Sequence, residues 1–369
     1  MILVKKIEDK SIVWLSQSNQ YIVVENIVAD ILSLLSNSTP KKEVINFLFN
    51  QINIPYQQAE NFVSDIENLL NHPKNEEQQK QTSELPKSFE QTKYYKINEF
   101  VFFIQFSSEY ELSLIHPKFA HLEINQQEKF DFNYQVFSKG NTIYFYVNNE
   151  FINSWNKTES HYFQGKFSMK IIEHTHQNPE DKWMGIFHAS AVSDNNKSML
   201  FLGDSGNGKS TSLALLQANG FTCLADDFVP VLAKTNEVYS FPSAISIKKN
   251  SVPVLLSMYP ELATTAEYHF KALNKIVRYL PPKNNNYSQH KKCTSLVFIK
   301  YVPESDIQIN QISSLNAFEK LVPDSWLSPH AENAKAFLDW FENLTCYKLT
   351  YSDNKKMIDT VNKLFSDEL

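Results

Sequence analysis

The stretch FLGDSGNGKST, residues 201–211, decides the fold, because it holds three of the chain's seven glycines within six positions. It reads Gly203-x-x-x-x-Gly208-Lys209-Ser210, which is the pattern of a phosphate-binding loop. Glycines reach backbone angles that are closed to other residues, so that successive N–H groups can converge on an anion. The stretch therefore predicts a binding site for phosphate groups.

The flanks of this loop supply the order of elements that such a site requires. The apolar run 198–202 has the length of a strand, and residues 209–218 carry leucines at helical spacing. Asn219-Gly220 is typical of a helix C-cap. Because the helix N-terminus then points at the loop, the sequence predicts a bound nucleoside triphosphate.

The expected ligands are ATP and Mg²⁺. Lys209 would contact the β- and γ-phosphates, and the Ser210 hydroxyl would be a ligand of Mg²⁺. The predicted nucleotide contacts are Gly203, Asp204, Ser205, Gly206, Asn207, Gly208, Lys209, Ser210 and Thr211.

Composition narrows the class of protein. The chain has 369 residues, of which 42% are hydrophobic and 21% charged, and its net charge of −6 argues against a nucleic-acid binder. No apolar run approaches the roughly 18 residues of a membrane helix, and the N-terminus lacks a signal-peptide core. Cys223, Cys293 and Cys346 are odd in number and widely spaced, as expected for free thiols. We therefore expect a cytoplasmic protein with no nucleic-acid or membrane partner; the sequence leaves the oligomeric state open.

The chain divides into three regions and a linker. Residues 73–93 are rich in Gln, Glu and Lys, which predicts a linker. Within residues 1–72, the apolar runs of 12–24 predict a strand pair, and the apolar spacing after it predicts three helices. Residues 94–182 predict a mostly β segment, with strands at 99–106 and 142–147. Residues 183–369 then form the nucleotide-binding core.

The N-terminal region resembles the PqqD-like peptide-recognition module. The resemblance covers residues 1–72 and rests on YIVVENIVADILSLL and INIPYQQAENFVSDIENLL. It implies a small winged-helix-like domain that captures a leader peptide as an added strand. A helical cap or a dimerisation domain is the alternative interpretation.

Two carboxylates and a histidine accompany the loop. Asp226-Asp227 ends the short apolar stretch 221–225, beside the expected phosphates, and His188 follows another apolar run. One carboxylate suffices for Mg²⁺, so that the second suggests a base. Arg278 is the only arginine of the chain and is a candidate for bidentate phosphate contact. The alternative interpretations are a solvated turn for the Asp pair, a hydrogen-bonded core residue for His188 and a surface position for Arg278.

The block HASAV…FLGDSGNGKSTSLALLQANGFTCLADD resembles the catalytic domain of the HPr kinase/phosphorylase family. The histidine stands fifteen residues before the first loop glycine, and the Asp pair begins seventeen after the lysine. NKIVRYLPP and FLDWFENLTCYKLTY look like segments of HPr-kinase-related proteins, so that the resemblance spans about residues 180–369. It implies an α/β (α+β) core with a mixed sheet, similar to phosphoenolpyruvate carboxykinase.

The resemblance also implies an activity and roles for residues. The activity is ATP- and Mg²⁺-dependent phosphorylation of a serine hydroxyl. Asp226 resembles the catalytic base and His188 its polarising partner, Lys209 completes the catalytic set, and Ser210 and Asp227 resemble the metal ligands. No counterpart of the family's glycine-rich RGLGIID-type segment follows the Asp pair, so that neither the reverse reaction nor HPr as substrate is implied.

Three functions compete at this point. The favoured one is a kinase for a peptide or protein, such as a ribosomally made precursor whose leader binds residues 1–72. The second is a small-molecule kinase acting on free serine or a similar compound. The third is a nucleotide-gated peptide-binding protein without phosphoryl transfer, against which the Asp pair argues because a pure binder needs no base.

Overall fold

A computed structural model describes residues 1–70, 82–270 and 275–369. Within these ranges the chain forms ten α-helices and twenty-two strands. The first group is β1 (Ile2–Ile7), β2 (Lys10–Leu15), β3 (Gln20–Glu25), α1 (Asn26–Ser36), α2 (Lys41–Gln51) and α3 (Tyr56–Leu70). The second is β4 (Gln91–Ile97), β5 (Phe100–Phe106), α4 (Glu109–Phe119), β6 (Glu123–Ile124), β7 (Phe132–Lys139), β8 (Thr142–Val147), β9 (Glu150–Asn156) and α5 (Ser160–His176).

The remaining elements form the core around the glycine loop. They are β10 (Trp183–Phe187), β11 (Ser190–Ser193), β12 (Ser198–Leu202), α6 (Lys209–Ala218), β13 (Thr222–Asp226), β14 (Val229–Leu232), β15 (Glu237–Tyr239), β16 (Ile245–Lys248), α7 (Val252–Leu255), β17 (Tyr268–Phe270), β18 (Lys275–Leu280), β19 (His290–Tyr301), β20 (Gln308–Gln311), α8 (Ser314–Leu321), β21 (Ser325–Leu327), α9 (Ala331–Glu342), β22 (Thr345–Tyr351) and α10 (Asn354–Phe365).

The core sheet is mixed, as the resemblance to the HPr kinase/phosphorylase family implied. Its strand order is β13-β11-β12-β19-β15-β14-β10-β21, with β22 also beside β19 and β20 beside β22. The pairs β12–β19 and β19–β22 are parallel, whereas the other neighbours are antiparallel. Helices α6 and α10 pack on one apolar cluster of this sheet, while α8 and α9 pack on another. The fold class is therefore α+β with a mixed sheet.

The N-terminal body is a three-stranded antiparallel sheet under three helices. All three predicted helices are present, but the predicted strand pair is a meander that begins with β1. Along β2, Val13 and Leu15 face α1–α3, while Ile12 joins the cluster of the core. Because side chains alternate along a strand, both faces of this sheet are covered.

The central segment carries a six-stranded sheet, β6-β4-β5-β7-β8-β9. The predicted strands at 99–106 and 142–147 are present, and helices α4 and α5, which the sequence analysis did not predict, pack on one face. The other face receives Leu85 and Phe89 from the predicted linker 73–93. Its residues 73–81 lie outside the described ranges, but residues 82–90 are therefore part of the packed structure.

No helix in the described ranges is both long and apolar enough to span a bilayer.

Candidate nucleotide-binding site

The glycine loop connects β12 to α6, in the order that the sequence predicts. Gly203 and Gly208 have φ angles of 140° and 98°, in the region that favours glycine. A Cβ at Gly203 would lie 2.7 Å from the carbonyl oxygen of Ile299, and one at Gly208 would lie 3.1 Å from the hydroxyl of Tyr351. A Cβ at Gly203 would therefore collide with the backbone of β19, whereas at Gly208 it would press against the side chain of Tyr351 and would also be strained by the positive φ.

The first residues of α6 face a cavity beside the loop. Lys209 is buried, and its ammonium group donates to the carbonyl of Gly203. The Ser210 hydroxyl donates to Asp226 Oδ1 at 3.1 Å, and Thr211 Oγ1 donates to the hydroxyl of Ser251 at 2.9 Å. The cavity is lined by His188, Asp204, Ser205, Gly206, Gly208, Lys209, Ser210, Thr211, Asp227, Ser246, Lys248, Ser251 and Lys275.

Asp226 is a buried carboxylate held by three donors. Its Oδ1 accepts from the hydroxyls of Ser190 at 2.6 Å and Ser210 at 3.1 Å, and its Oδ2 accepts from the backbone N–H of Ser246 at 3.0 Å. Burial, reinforced by the neighbouring charge of Asp227, raises the pKa of Asp226 to about 7. This carboxyl thus sits beside the serine hydroxyl that follows the loop lysine.

Asp227 turns the other way, into the cavity. Its φ of 63° reverses the backbone directly after β13, and its side chain lines the cavity with His188. Partial burial acts to raise its pKa, but Lys118, His188, Lys275 and Lys209 together hold the pKa below its ordinary value. The two adjacent aspartates therefore have opposite electrostatic environments.

Three lysines surround the loop, of which the sequence analysis identified only Lys209. Lys248, at the end of β16, donates to the Ser205 hydroxyl at 2.9 Å, and Lys275 begins β18. Burial, with the charges of Lys275 and Lys209, lowers the pKa of Lys248. Such a concentration of ammonium groups around a cradle of backbone amides suits a polyphosphate.

Arg278 lies away from this cavity. Its guanidinium pairs with Glu267 at 3.0 Å and also donates to the carbonyl of Leu262. The structure therefore does not bring the predicted arginine to the loop; its strand, β18, contributes Lys275 instead. Gly203 and Asn207 line a second cavity, on the far side of the loop.

Comparison with known proteins gives little beyond this geometry. No family model matches the chain, and no curated protein matches it either. A solved structure, the HPr(Ser) kinase/phosphatase from Coxiella burnetii, is similar over 50% of this chain and 94% of its own. The two are 8% identical, with a TM-score of 0.21. Values this low carry no argument about function.

Proposed function

We propose that this chain is an ATP- and Mg²⁺-dependent phosphotransferase that phosphorylates a serine-type hydroxyl on a peptide or protein. One observation carries the proposal. The hydroxyl of Ser210, directly after the loop lysine, donates to the carboxylate of Asp226, and the cavity beside the loop is lined by Asp227 and His188. Anion cradle, metal-binding oxygens and a candidate base are the parts that phosphoryl transfer requires.

The arrangement of Ser210 and Asp226 suits Mg²⁺. Ser210 and Asp226 supply hard oxygen ligands side by side, so that we assign the metal to this pair. A bound Mg²⁺ would neutralise charge on the phosphates as the bond to the leaving oxygen breaks. Lys209 and Lys248 would hold phosphate oxygens from either side of the loop.

We assign the base to Asp227, with His188 beside it. In the transfer, the acceptor oxygen bonds to the γ-phosphorus, the bond to the β–γ bridging oxygen breaks, ADP leaves, and the hydroxyl proton passes to Asp227. The sequence-based expectation gave these two aspartates the opposite roles. The exchange is supported by the contact between Asp226 and Ser210 and by the partial exposure of Asp227 in the cavity.

We also propose that residues 1–72 recognise a leader peptide. Within the described residues, β1 and β3 each pair only with β2, so that both outer edges offer unpaired N–H and C=O groups. An extended peptide can add to such an edge as a further strand. This supports the PqqD-like interpretation without distinguishing which edge is used.

The test uses the full chain, ATP labelled at the γ-phosphate and serine-containing peptides, with transfer followed by mass spectrometry. Lys209→Ala removes the positive charge that would face the β- and γ-phosphates and should reduce transfer by at least about 100-fold. Lys234→Ala, at an exposed lysine outside both cavities, is the matched control and should retain wild-type rates. Wild-type transfer by Lys209→Ala would overturn the proposal.

A further inference from the structure

A second cavity lies across the glycine loop from the first. The C-terminal ends of β12 and β19, the middle of β22 and one side of α8 form its walls. Its lining residues are His188, Leu202, Gly203, Asp204, Asn207, Phe298, Ile299, Lys300, Lys320, Leu321, Asp324 and Lys348. Apart from His188 and the loop residues Gly203, Asp204 and Asn207, none of these has a role in the proposed phosphoryl transfer, so that the rest of the cavity needs an explanation of its own.

The two cavities meet at His188 and Asp204, which line both. The first cavity is lined by Lys209, Thr211 and Ser251, and the proposed function puts the nucleotide there. Phosphoryl transfer places the attacking and leaving oxygens roughly in line. With the nucleotide in the first cavity, an acceptor would approach from the opposite side, and the second cavity adjoins the first at His188 and Asp204.

The charged residues of the second cavity indicate what kind of acceptor it suits. Lys300, Lys320 and Lys348 are exposed at its walls, and none forms an ion pair within the described ranges. The ammonium group of Lys320 lies 5.6 Å from the centre of the Phe298 ring. Three lysines outnumber the carboxylates of Asp204 and Asp324, and the floor is apolar, so that the cavity suits an extended segment bearing negative charge.

One wall of this cavity is also the platform of the N-terminal body. Helix α8 presents Lys320 and Leu321 to the cavity, and its Phe318 packs against Tyr21 of β3. In the adjoining β21, the carbonyl of Leu327 accepts from Asn19 at 2.9 Å. A peptide held by the N-terminal sheet would thus need only a short connection to reach the cavity.

We propose that the second cavity is the acceptor subsite and that it takes an acidic peptide segment next to the accepting hydroxyl. This inference rests on the proposed phosphotransferase function, but its binding can be tested without any transfer. The probes are two fluorescent, end-capped pentapeptides with a central serine, one flanked by four glutamates and the other by four lysines. Their affinities for the full chain are measured by fluorescence anisotropy.

The variant is Lys300→Glu/Lys320→Glu/Lys348→Glu. The matched control is Lys42→Glu/Lys139→Glu/Lys234→Glu, which changes the net charge equally at exposed lysines that line neither cavity. We expect the wild type and the control to prefer the acidic peptide, and the cavity variant to bind it about tenfold more weakly. Thermal unfolding shows whether both triple variants remain folded.

Nucleotide binding is measured in parallel with a fluorescent ATP analogue, and it should be unchanged in the cavity variant. Equal affinity of the wild type for the two peptides, or undiminished binding of the acidic peptide by the cavity variant, would overturn the acceptor subsite. If the wild type binds no nucleotide while acidic-peptide binding is still lost in the cavity variant, the acidic-peptide site stands and the phosphotransferase function falls.

Discussion

At the scale of single residues, the site depends on two aspartates that are neighbours in the chain and point in different directions. Asp226 is the last residue of β13 and is buried among hydroxyl and amide donors, whereas the left-handed backbone at Asp227 turns its carboxylate towards the lysines of the cavity. Burial disfavours the ionised form of the first, and positive neighbours favour that of the second. Two adjacent residues thus provide one carboxyl, Asp226, whose ionised form a bound cation would stabilise, and another, Asp227, whose ionised form the neighbouring lysines already stabilise.

The first prediction separates these two aspartates. Asp226→Asn should weaken Mg²⁺ binding by about tenfold or more, because the carboxylate beside Ser210 is lost. Asp227→Asn should leave Mg²⁺ and nucleotide binding nearly intact and should reduce transfer by about 10²–10⁴-fold, the usual contribution of a general base. Calorimetric titration of Mg²⁺ with ATP and single-turnover transfer measure the two effects. If Asp227→Asn weakens Mg²⁺ binding instead, the roles implied by the family resemblance, with Asp226 as base and Asp227 as metal ligand, are correct.

The second prediction concerns pH. The pKa of Asp226 is raised to about 7 in the folded chain, while in the unfolded chain it has its ordinary value near 4. The folded state therefore binds the proton more tightly, and the stability from this group is present below about pH 4 and lost as pH rises to about 7. Since each pKa unit corresponds to about 1.4 kcal/mol, the loss is a few kcal/mol.

Asp226→Asn cannot ionise and removes this loss. In Mg²⁺-free buffer, the Tm of the wild type should therefore fall relative to that of Asp226→Asn between pH 4 and 7. Asp181→Asn, at an exposed aspartate outside both cavities, serves as the control and should show no such divergence. Parallel Tm curves for the wild type and Asp226→Asn would show that the carboxyl of Asp226 is not perturbed as described.

At the scale of elements, the loop is shaped by the strands beside it as much as by its own glycines. The backbone of β19 crosses directly behind Gly203, and the hydroxyl of Tyr351 from β22 lies behind Gly208. The parallel pairs β12–β19 and β19–β22 bring these strands to the loop. The loop conformation is therefore a property of the assembled sheet.

The third prediction tests this shaping. Gly203→Ala should abolish nucleotide binding, because a methyl group 2.7 Å from the Ile299 carbonyl oxygen forces the loop to move. Gly140→Ala is the matched control, since Gly140 also has a positive φ but has nothing within 4 Å of the added carbon. It should lower stability by only about 1–2 kcal/mol and leave nucleotide binding unchanged. Titration with a fluorescent ATP analogue and thermal unfolding provide the comparison. Nucleotide affinity preserved in Gly203→Ala would contradict the steric argument.

The sequence was informative wherever one short segment carries the signal. The strand–loop–helix unit at 198–218, helices α1–α3 and the two strands of the central segment all follow from local periodicity and turn residues. Helices α4 and α5 did not, and α4 contains Pro117, which weakens a helical pattern. A mixed sheet could be expected from the resemblance, but its strand order depends on long-range pairing.

The site divides in the same way. Lys209 and Ser210 belong to a motif and line the first cavity, and their roles towards nucleotide and Mg²⁺ stay predictions. Lys118, Lys248 and Lys275 come from α4, β16 and β18, and no local pattern distinguishes them from surface lysines. For the Asp pair, alternation along a strand predicts different directions, but only the packed structure shows which carboxylate meets Ser210.

At the scale of the whole molecule, the N-terminal body is attached to the core rather than separate from it. Tyr21 lies edge-on to the rings of Phe337 at 5.2 Å and Phe318 at 6.2 Å. Lys5 pairs with Asp339 and Glu342 of α9 at 3.0 and 2.5 Å. The sequence predicted a linker after residue 72, whereas these contacts hold the N-terminal body beside the second cavity.

The last prediction tests this attachment. Tyr21→Ala removes the ring that contacts Phe318 and Phe337 and should lower the free energy of unfolding by about 3 kcal/mol. Because the contact joins two bodies, hydrogen exchange should accelerate in β1–β3 and also in α9. Tyr21→Phe should be nearly neutral, since the Tyr21 hydroxyl is buried and has no hydrogen-bond partner within the described ranges.

Tyr56→Ala provides the matched control, because Tyr56 lies on α3 of the same body and is exposed, away from the core. It should leave exchange in α9 unchanged. If the N-terminal body delivers the acceptor, Tyr21→Ala should also raise the apparent KM for a leader-bearing peptide, with ATP affinity unchanged, because a loosened body lowers the effective concentration at the second cavity. Faster exchange confined to β1–β3 would mean that the contact does not stabilise the core, and an unchanged KM would separate attachment from delivery.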